Sequence, residues 1–327
     1  CISGTVQKCA AGKATLAFAI FYMVINIGSL FGRFAAYEVR TRSSLSMIFA
    51  VAAVCAASAF FVVLFLYRDP DKQRASQAAP AKPRRSIAVV LLDMFLVLRN
   101  LRFTLFLLVS GGFFFLYAQV YNVLPLYLKK VVEGNPPIDI YTAANPLVIV
   151  AFQLLITKLF GRLPPIRSII VGTVLISLAM LINLYPLFSD GVSSQALSLL
   201  PLGSLFIVMT VALVAFGELF TSARSYEYIG ALAPKGQEGL FLGYASLPMA
   251  IGAAAGNPVG AVIFNKVMCR GATMKENGLL ELRPNMAAAG WLILTGVGLV
   301  TAFCFWLFDR WLRADVARSR AAALIRR

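Results

Sequence analysis

Eight apolar blocks, each long enough to cross a bilayer as a helix, decide what this chain can fold into. A helix needs about 20 residues to span ~30 Å of hydrocarbon, and it satisfies its own backbone hydrogen bonds while doing so. The blocks run over residues 14–36, 45–67, 103–128, 140–160, 167–188, 197–228, 240–267 and 286–312, after a short stub at 1–13. They are continuous rather than striped, and the chain is 60% apolar with a mean hydropathy of +0.80. That is well above an ordinary soluble domain. A membrane β-barrel would need alternating segments of about ten residues, which this sequence lacks. The reading is an all-α integral membrane protein.

The net charge of +16 raises the question of nucleic acid, but the basic residues sit between apolar blocks with no aromatic platform among them. Topology accounts for them better. If the stretch Arg68–Arg102, with Pro70, Pro80, Pro83 and eight Lys or Arg, is a cytoplasmic linker and the spans alternate, 21 of the 30 basic residues fall on the cytoplasmic side. This places the C-terminus in the cytoplasm of a multi-pass cell-membrane protein. An amphipathic surface helix is expected over Ile87–Leu98. The chain begins at Cys1 and reads as the C-terminal part of a longer protein. Its five cysteines show no CxxC spacing and it has no His, so unpaired thiols are expected, with no soft-metal site and no cofactor.

Charged side chains at mid-membrane cost roughly 2.5–3.5 kcal/mol by insertion scales, which makes them functional candidates by default. Of the 14 acidic residues, 13 lie in loops, tails or near span ends, and Glu218 alone lies deep in a span. Burial disfavours the ionised form, so uptake of a proton and binding of an ammonium group would compete for this one carboxylate. The structural alternative is that Glu218 pairs with a basic residue such as Lys158 as packing glue. Membrane enzymes want paired Asp residues, a His-Glu-x-x-His helix or a Ser–His pair, and none is available, so an enzyme is not expected.

Two spans, a basic linker and six further spans resemble the later part of a major facilitator superfamily transporter, in which two six-helix bundles face a central site. The resemblance narrows to the proton-dependent oligopeptide transporter (POT/PTR) family. Gly217-Glu218-Leu219-Phe220-Thr221-Ser222-Ala223, followed by Leu232-Ala233-Pro234 and Gly239-Leu240-Phe241-Leu242-Gly243, is similar to that family's tenth helix, with Ala223 where Pro is usual. Asn145-Pro146-Leu147-Val148-Ile149 is similar to the start of its eighth helix, and Phe21-Tyr22-Met23-Val24-Ile25-Asn26-Ile27-Gly28-Ser29-Leu30 to its fifth. Phe113–Gln119 is similar to the aromatic-rich seventh helix, with Ala118 where Glu often stands, and Gly4–Cys9 to the fourth.

The resemblance implies domains at 1–67 (end of an N-terminal bundle: partial fourth, fifth and sixth helices), 68–102 (linker), 103–312 (C-terminal six-helix bundle) and 313–327 (basic tail). It also implies roles. Glu218 and Asn145 would hold a substrate's amino end, Asn26 and Gln119 its backbone-like groups, and Lys8 its carboxylate, with Tyr117 and Tyr121 facing the pore and Glu218 coupling to protons. Each residue also has a bland reading: Asn145 as a helix cap, Asn26 as interhelical glue with Gly28 and Ser29 allowing close approach, the tyrosines as packing, Lys8 as a charge anchor. The glycines Gly252, Gly256 and Gly260 line one helix face, a packing stripe that Pro258 could let rock. The function expected is proton-coupled symport of small peptides or related amino-bearing solutes by alternating access, with bilayer, substrate and protons as partners and no nucleic acid. The alternatives are a transporter of another solute, an exporter, or a non-transporting scaffold or receptor of this fold.

Overall fold

The computed structural model describes residues 2–10, 12–67, 86–189, 192, 195–197, 200–234 and 236–325. Ten helices follow in order: α1 (Ile2–Cys9), α2 (Ala14–Arg42), α3 (Leu45–Leu66), α4 (Ile87–Val97), α5 (Leu101–Val132), α6 (Ile138–Phe160), α7 (Pro165–Phe188), α8 (Leu202–Leu232), α9 (Glu238–Met268) and α10 (Pro284–Ile325). Among the described residues eight helices, all but α1 and α4, are long and apolar enough to cross a membrane. The chain is an all-α, multi-pass membrane protein.

Several boundaries move relative to the sequence reading. The sixth span begins at Leu202 rather than residue 197, because β1 (Gln195–Leu197) pairs antiparallel with β2 (Leu200–Pro201) ahead of it. A second small ladder, β3 (Thr273–Met274) with β4 (Leu280–Glu281), joins α9 to α10. Helix α10 continues unbroken through residue 313 to Ile325. Helix α4 is not amphipathic: Asp93 is the one polar residue in Ile-Ala-Val-Val-Leu-Leu-Asp-Met-Phe-Leu-Val. Residues 68–85 of the expected linker, with six basic side chains and three prolines, lie outside the described residues, as do Cys1, Lys235, Arg326 and Arg327. The four described cysteines, Cys9, Cys55, Cys269 and Cys304, are free thiols.

Proline sets the irregularities of the long helices. It lacks an N–H and its ring crowds the carbonyl four residues back. Pro125 acts on residue 121, inside the 3₁₀ turn Gln119–Tyr121; Pro186 on 182, inside Met180–Leu184; and Pro248 on 244, inside Tyr244–Ser246. Pro146 acts on Thr142, where α6 breaks at Ala143. The break in α6 is therefore written one residue after Asn145.

Glycine sets the closest packing. A Cβ on Gly252 would lie 2.6 Å from the Gly111 carbonyl, one on Gly256 3.0 Å from that of Phe115, and one on Gly260 2.1 Å from Gln119 Oε1. The glycine stripe is thus the α5–α9 seam. Gly172 and Gly217 bring α7 and α8 together in the same way. Gly28 behaves otherwise than expected, for a Cβ there would meet nothing within 4 Å.

Helix α2 packs along α6 and α8, and its Phe18 is fully buried among Phe103, Phe106 and Phe241. Where α2 begins, the Thr15 hydroxyl donates to Glu227 at 2.7 Å and accepts from Arg224, which also bonds Glu227 at 2.6 Å and the Phe160 carbonyl at 3.1 Å. Arg224 is buried in α8. At the other end of α2, Arg40 pairs with Asp139 of α6 at 2.9 Å, half-exposed. Helix α3 packs on α2 and has no buried residue in its apolar stretch.

Two stability tests follow from these contacts. Gly252→Val should lower thermal stability in detergent by about 1–3 kcal/mol, since overpacking a tight seam costs that much. Gly28→Ala should leave it unchanged or slightly raised. Glu227→Gln, which strands a buried guanidinium, should cost about 3–5 kcal/mol, against under about 1 kcal/mol for Asp139→Asn at the half-exposed pair.

Candidate functional site

Glu218 lies in the middle of α8 and is 3% exposed. Its two oxygens are held by different helices. Asn145 Nδ2 of α6 donates to Oε2 at 2.7 Å, and the Tyr22 hydroxyl of α2 donates to Oε1. Neither donor is charged, and Lys158, the basic partner weighed from the sequence, is exposed on α6. Asn145 reaches this position from the break in α6, and the helix start there carries no side-chain cap. Its amide is spent on the carboxylate.

Helix α5 supplies the next layer. Tyr117 also faces the Glu218 carboxylate. One turn on, the Tyr121 hydroxyl lies 3.2 Å from that of Tyr117 and accepts from Arg33 Nη2 of α2 at 2.8 Å. Arg33 Nη1 donates to Thr142 Oγ1 of α6 at 2.6 Å, and the guanidinium sits 5.4 Å from the Tyr121 ring centroid. Arg33 is near enough to act on Glu218 electrostatically. A carboxylate on α8 and a guanidinium on α2 thus face one site, joined through a pair of tyrosines on α5.

Tyr22 also lines a small cavity of about 70 Å³ between α5, α8 and α9, with Phe114, Tyr226 and Met249 in its wall. Ser110 and Ser222 also line it; both hydroxyls are buried, that of Ser222 beside the Tyr22 hydroxyl and that of Ser110 with no hydrogen-bond partner among the described residues. Buried hydroxyls of this kind are suited to polar groups of a guest or to water. Tyr22 is therefore the wall between the cavity and the carboxylate.

The structure gathers Glu218, Asn145, Tyr117 and Tyr121, and Asn26 lies one turn along α2 from Tyr22. Asn26 is buried, but its Nδ2 donates to the Tyr22 carbonyl of its own helix at 2.9 Å rather than across to another. Two expected members stand elsewhere. Gln119 is fully buried in the α5–α9 seam, with Nε2 on the Phe115 and Gly256 carbonyls at 2.7 and 3.1 Å. Two residues of helix turn it about 200° from Tyr117, and it lies against Gly256 and Gly260. Lys8 is on α1, whose Gln7 abuts Gly230 of α8. That contact is twelve residues, about 18 Å of helix, from Glu218.

Sequence reasoning passed over Tyr22, Thr142 and Arg33. Arg33 carried a usable signal, a charge within the 14–36 block. Tyr22 and Thr142 carried none, since a hydroxyl in an apolar run is common.

Comparison with known proteins agrees with this architecture. A Bacillus subtilis (strain 168) protein described as an uncharacterized MFS-type transporter, YqjV, is 23% identical over 231 residues, 70% of this chain and 51% of its own length. The chain thus spans about half the length of that curated relative. Among solved structures, the POT family transporter PepTSo superposes with a TM-score of 0.57 at 17% identity, over 94% of this chain and 72% of that one. A POT family transporter in complex with a thioalcohol-conjugated peptide gives 0.55 at 15% identity, over 90% and 69%. At such identities these likenesses speak to the fold. The family model of the Major Facilitator Superfamily matches residues 7–225, well over half of the sequence, and the chain belongs to that superfamily.

Proposed function

We propose that this chain carries the amine- and proton-binding site of a secondary transporter that moves small peptides or related amino-bearing solutes with protons by alternating access. The observation that carries the reading is the dual tether of Glu218, to Asn145 within 103–312 and to Tyr22 within 1–67. On the proposed domain division these are separate bundles, so the charge state of one carboxylate bears on how tightly they hold together. The fold shared with solved POT transporters, one of them in complex with a conjugated peptide, supports the class of substrate.

The chemistry of the two tethers differs. Asn145 Nδ2 can only donate, so a proton on Oε2 would weaken that bond, whereas the Tyr22 hydroxyl can turn from donor to acceptor when a proton arrives on Oε1. Protonation is therefore favoured on the oxygen that Tyr22 holds, the residue that also faces the cavity. An ammonium group needs the carboxylate ionised and takes the place of Tyr22 as donor to it, with the Asn145 carbonyl oxygen as a further acceptor. Ser110 and Ser222 supply hydrogen bonds for polar groups farther along the guest. The driving force is the proton gradient, and the assignment puts the linker and the C-terminus on the cytoplasmic side of the cell membrane.

Uptake of labelled dipeptide into proteoliposomes under an inward-acid gradient tests the reading. Glu218→Gln should abolish gradient-driven accumulation, and undiminished accumulation by this variant would remove the central claim. Asn145→Ala should raise the apparent KM roughly tenfold, the worth of one charge-assisted hydrogen bond, with a smaller effect on maximal rate.

A further inference from the structure

A second cavity, of about 150 Å³, lies between the ends of α5 and α7, the start of α10 and the β3–β4 hairpin. Ten residues, about 15 Å of helix, separate Tyr127 in its wall from Tyr117 beside Glu218. Val131 of α5, Leu187 of α7 and Leu282 ahead of α10 make apolar walls, and the hairpin brings Lys275 and Glu281 to it. Tyr127 is 2% exposed, and its hydroxyl has no hydrogen-bond partner among the described residues. The ring of Trp291 meets that of Tyr127 edge-on with centroids 5.2 Å apart, and its indole N–H is unpartnered as well. Buried polar groups nearly always have a partner, so a lone hydroxyl in a cavity wall marks a place for a guest's polar atom.

We propose that this cavity binds a free α-amino acid with an aromatic side chain, its ring inside and its charged groups at the hairpin. The inference is independent of the reading of Glu218. A cavity of this volume with aliphatic walls takes one six-membered ring. The hairpin supplies the charge pattern. Its ladder pairs Thr273 with Glu281 and Met274 with Leu280, and the Lys275 N–H continues it by donating to the Leu279 carbonyl at 2.8 Å. Lys275 therefore stands diagonally across from Glu281 on the same face, about 7–8 Å away. Neither side chain is in an ion pair among the described residues. A cation and an anion so placed meet the carboxylate and the ammonium of one zwitterion, which a neutral or singly charged guest would use only in part. At the other end a phenol can both donate to and accept from the Tyr127 hydroxyl, so tyrosine is preferred to phenylalanine.

The test is calorimetric titration of the purified whole chain with L-tyrosine, L-phenylalanine, L-alanine and N-acetyl-L-tyrosinamide, each to about 2 mM. Wild type should bind L-tyrosine with a submillimolar Kd, roughly threefold more tightly than L-phenylalanine and roughly tenfold more tightly than the ringless or uncharged probe. Lys275→Gln and Glu281→Gln should each weaken L-tyrosine roughly fivefold, with Lys275→Arg retaining most of the affinity. Tyr127→Phe should erase the difference between L-tyrosine and L-phenylalanine, and Glu218→Gln should bind L-tyrosine as wild type does. No saturable binding of L-tyrosine by wild type overturns the proposal, as does binding that survives both hairpin variants unchanged. Binding lost in Glu218→Gln also overturns it, by assigning the amino acid to the central site while leaving the Glu218 reading standing. A preference for L-tyrosine that persists in Tyr127→Phe does the same, since the phenol then lies elsewhere.

Discussion

A carboxylate without water has to be surrounded by donors, and Glu218 draws its donors from two directions at once. That requirement organises much of the molecule. The Pro146 break turns Asn145 toward α8, the glycine contact at Gly172 and Gly217 fixes α8 against α7 one residue from the acid, and α2 lies close enough for Tyr22 to complete the pair. None of these bonds is an ion pair. The donors are neutral groups that stabilise a charge without pairing it with an opposite one.

The second layer gives the site its direction. Tyr117, Tyr121 and Arg33 extend the hydrogen-bonded set away from Glu218 on one side, and the cavity with Ser110 and Ser222 extends from Tyr22 on the other. The acid is thus a midpoint between a cationic pole and a mainly apolar pocket. Helix α2 threads all three regions and contributes both the Tyr22 wall and the Arg33 pole.

The membrane architecture was legible because bilayer thickness imposes length on every span, and the eight blocks appear as eight helices. Glu218 was legible for a related reason, as the one carboxylate deep in an apolar run. Span ends were less so, since residues 195–201 form a small ladder that no periodicity announces. Asn145 could be placed beside Glu218 only through a resemblance to known sequences, while Gln119, two residues and so about 200° of helix from Tyr117, points away from it into the α5–α9 seam. Tyr22 and Thr142 act through hydroxyls whose direction depends on packing between distant helices. Arg33 was visible as a charge inside the 14–36 block, but its partners, Thr142 and Tyr121, come from distant helices.

The cluster at the start of α2 has a mechanical asymmetry. Arg224 and Glu227 belong to the same helix, so their charges stay together whether or not α2 is present, and only the Thr15 hydroxyl bridges the two. Parting α2 from α8 there would break neutral-to-charged hydrogen bonds and separate no ions. At the opposite end, Arg40 and Asp139 sit on different helices, and parting them separates unlike charges. One end of the α2 contact is a latch that opens without moving charge, while the other resists opening in a way that added salt would ease.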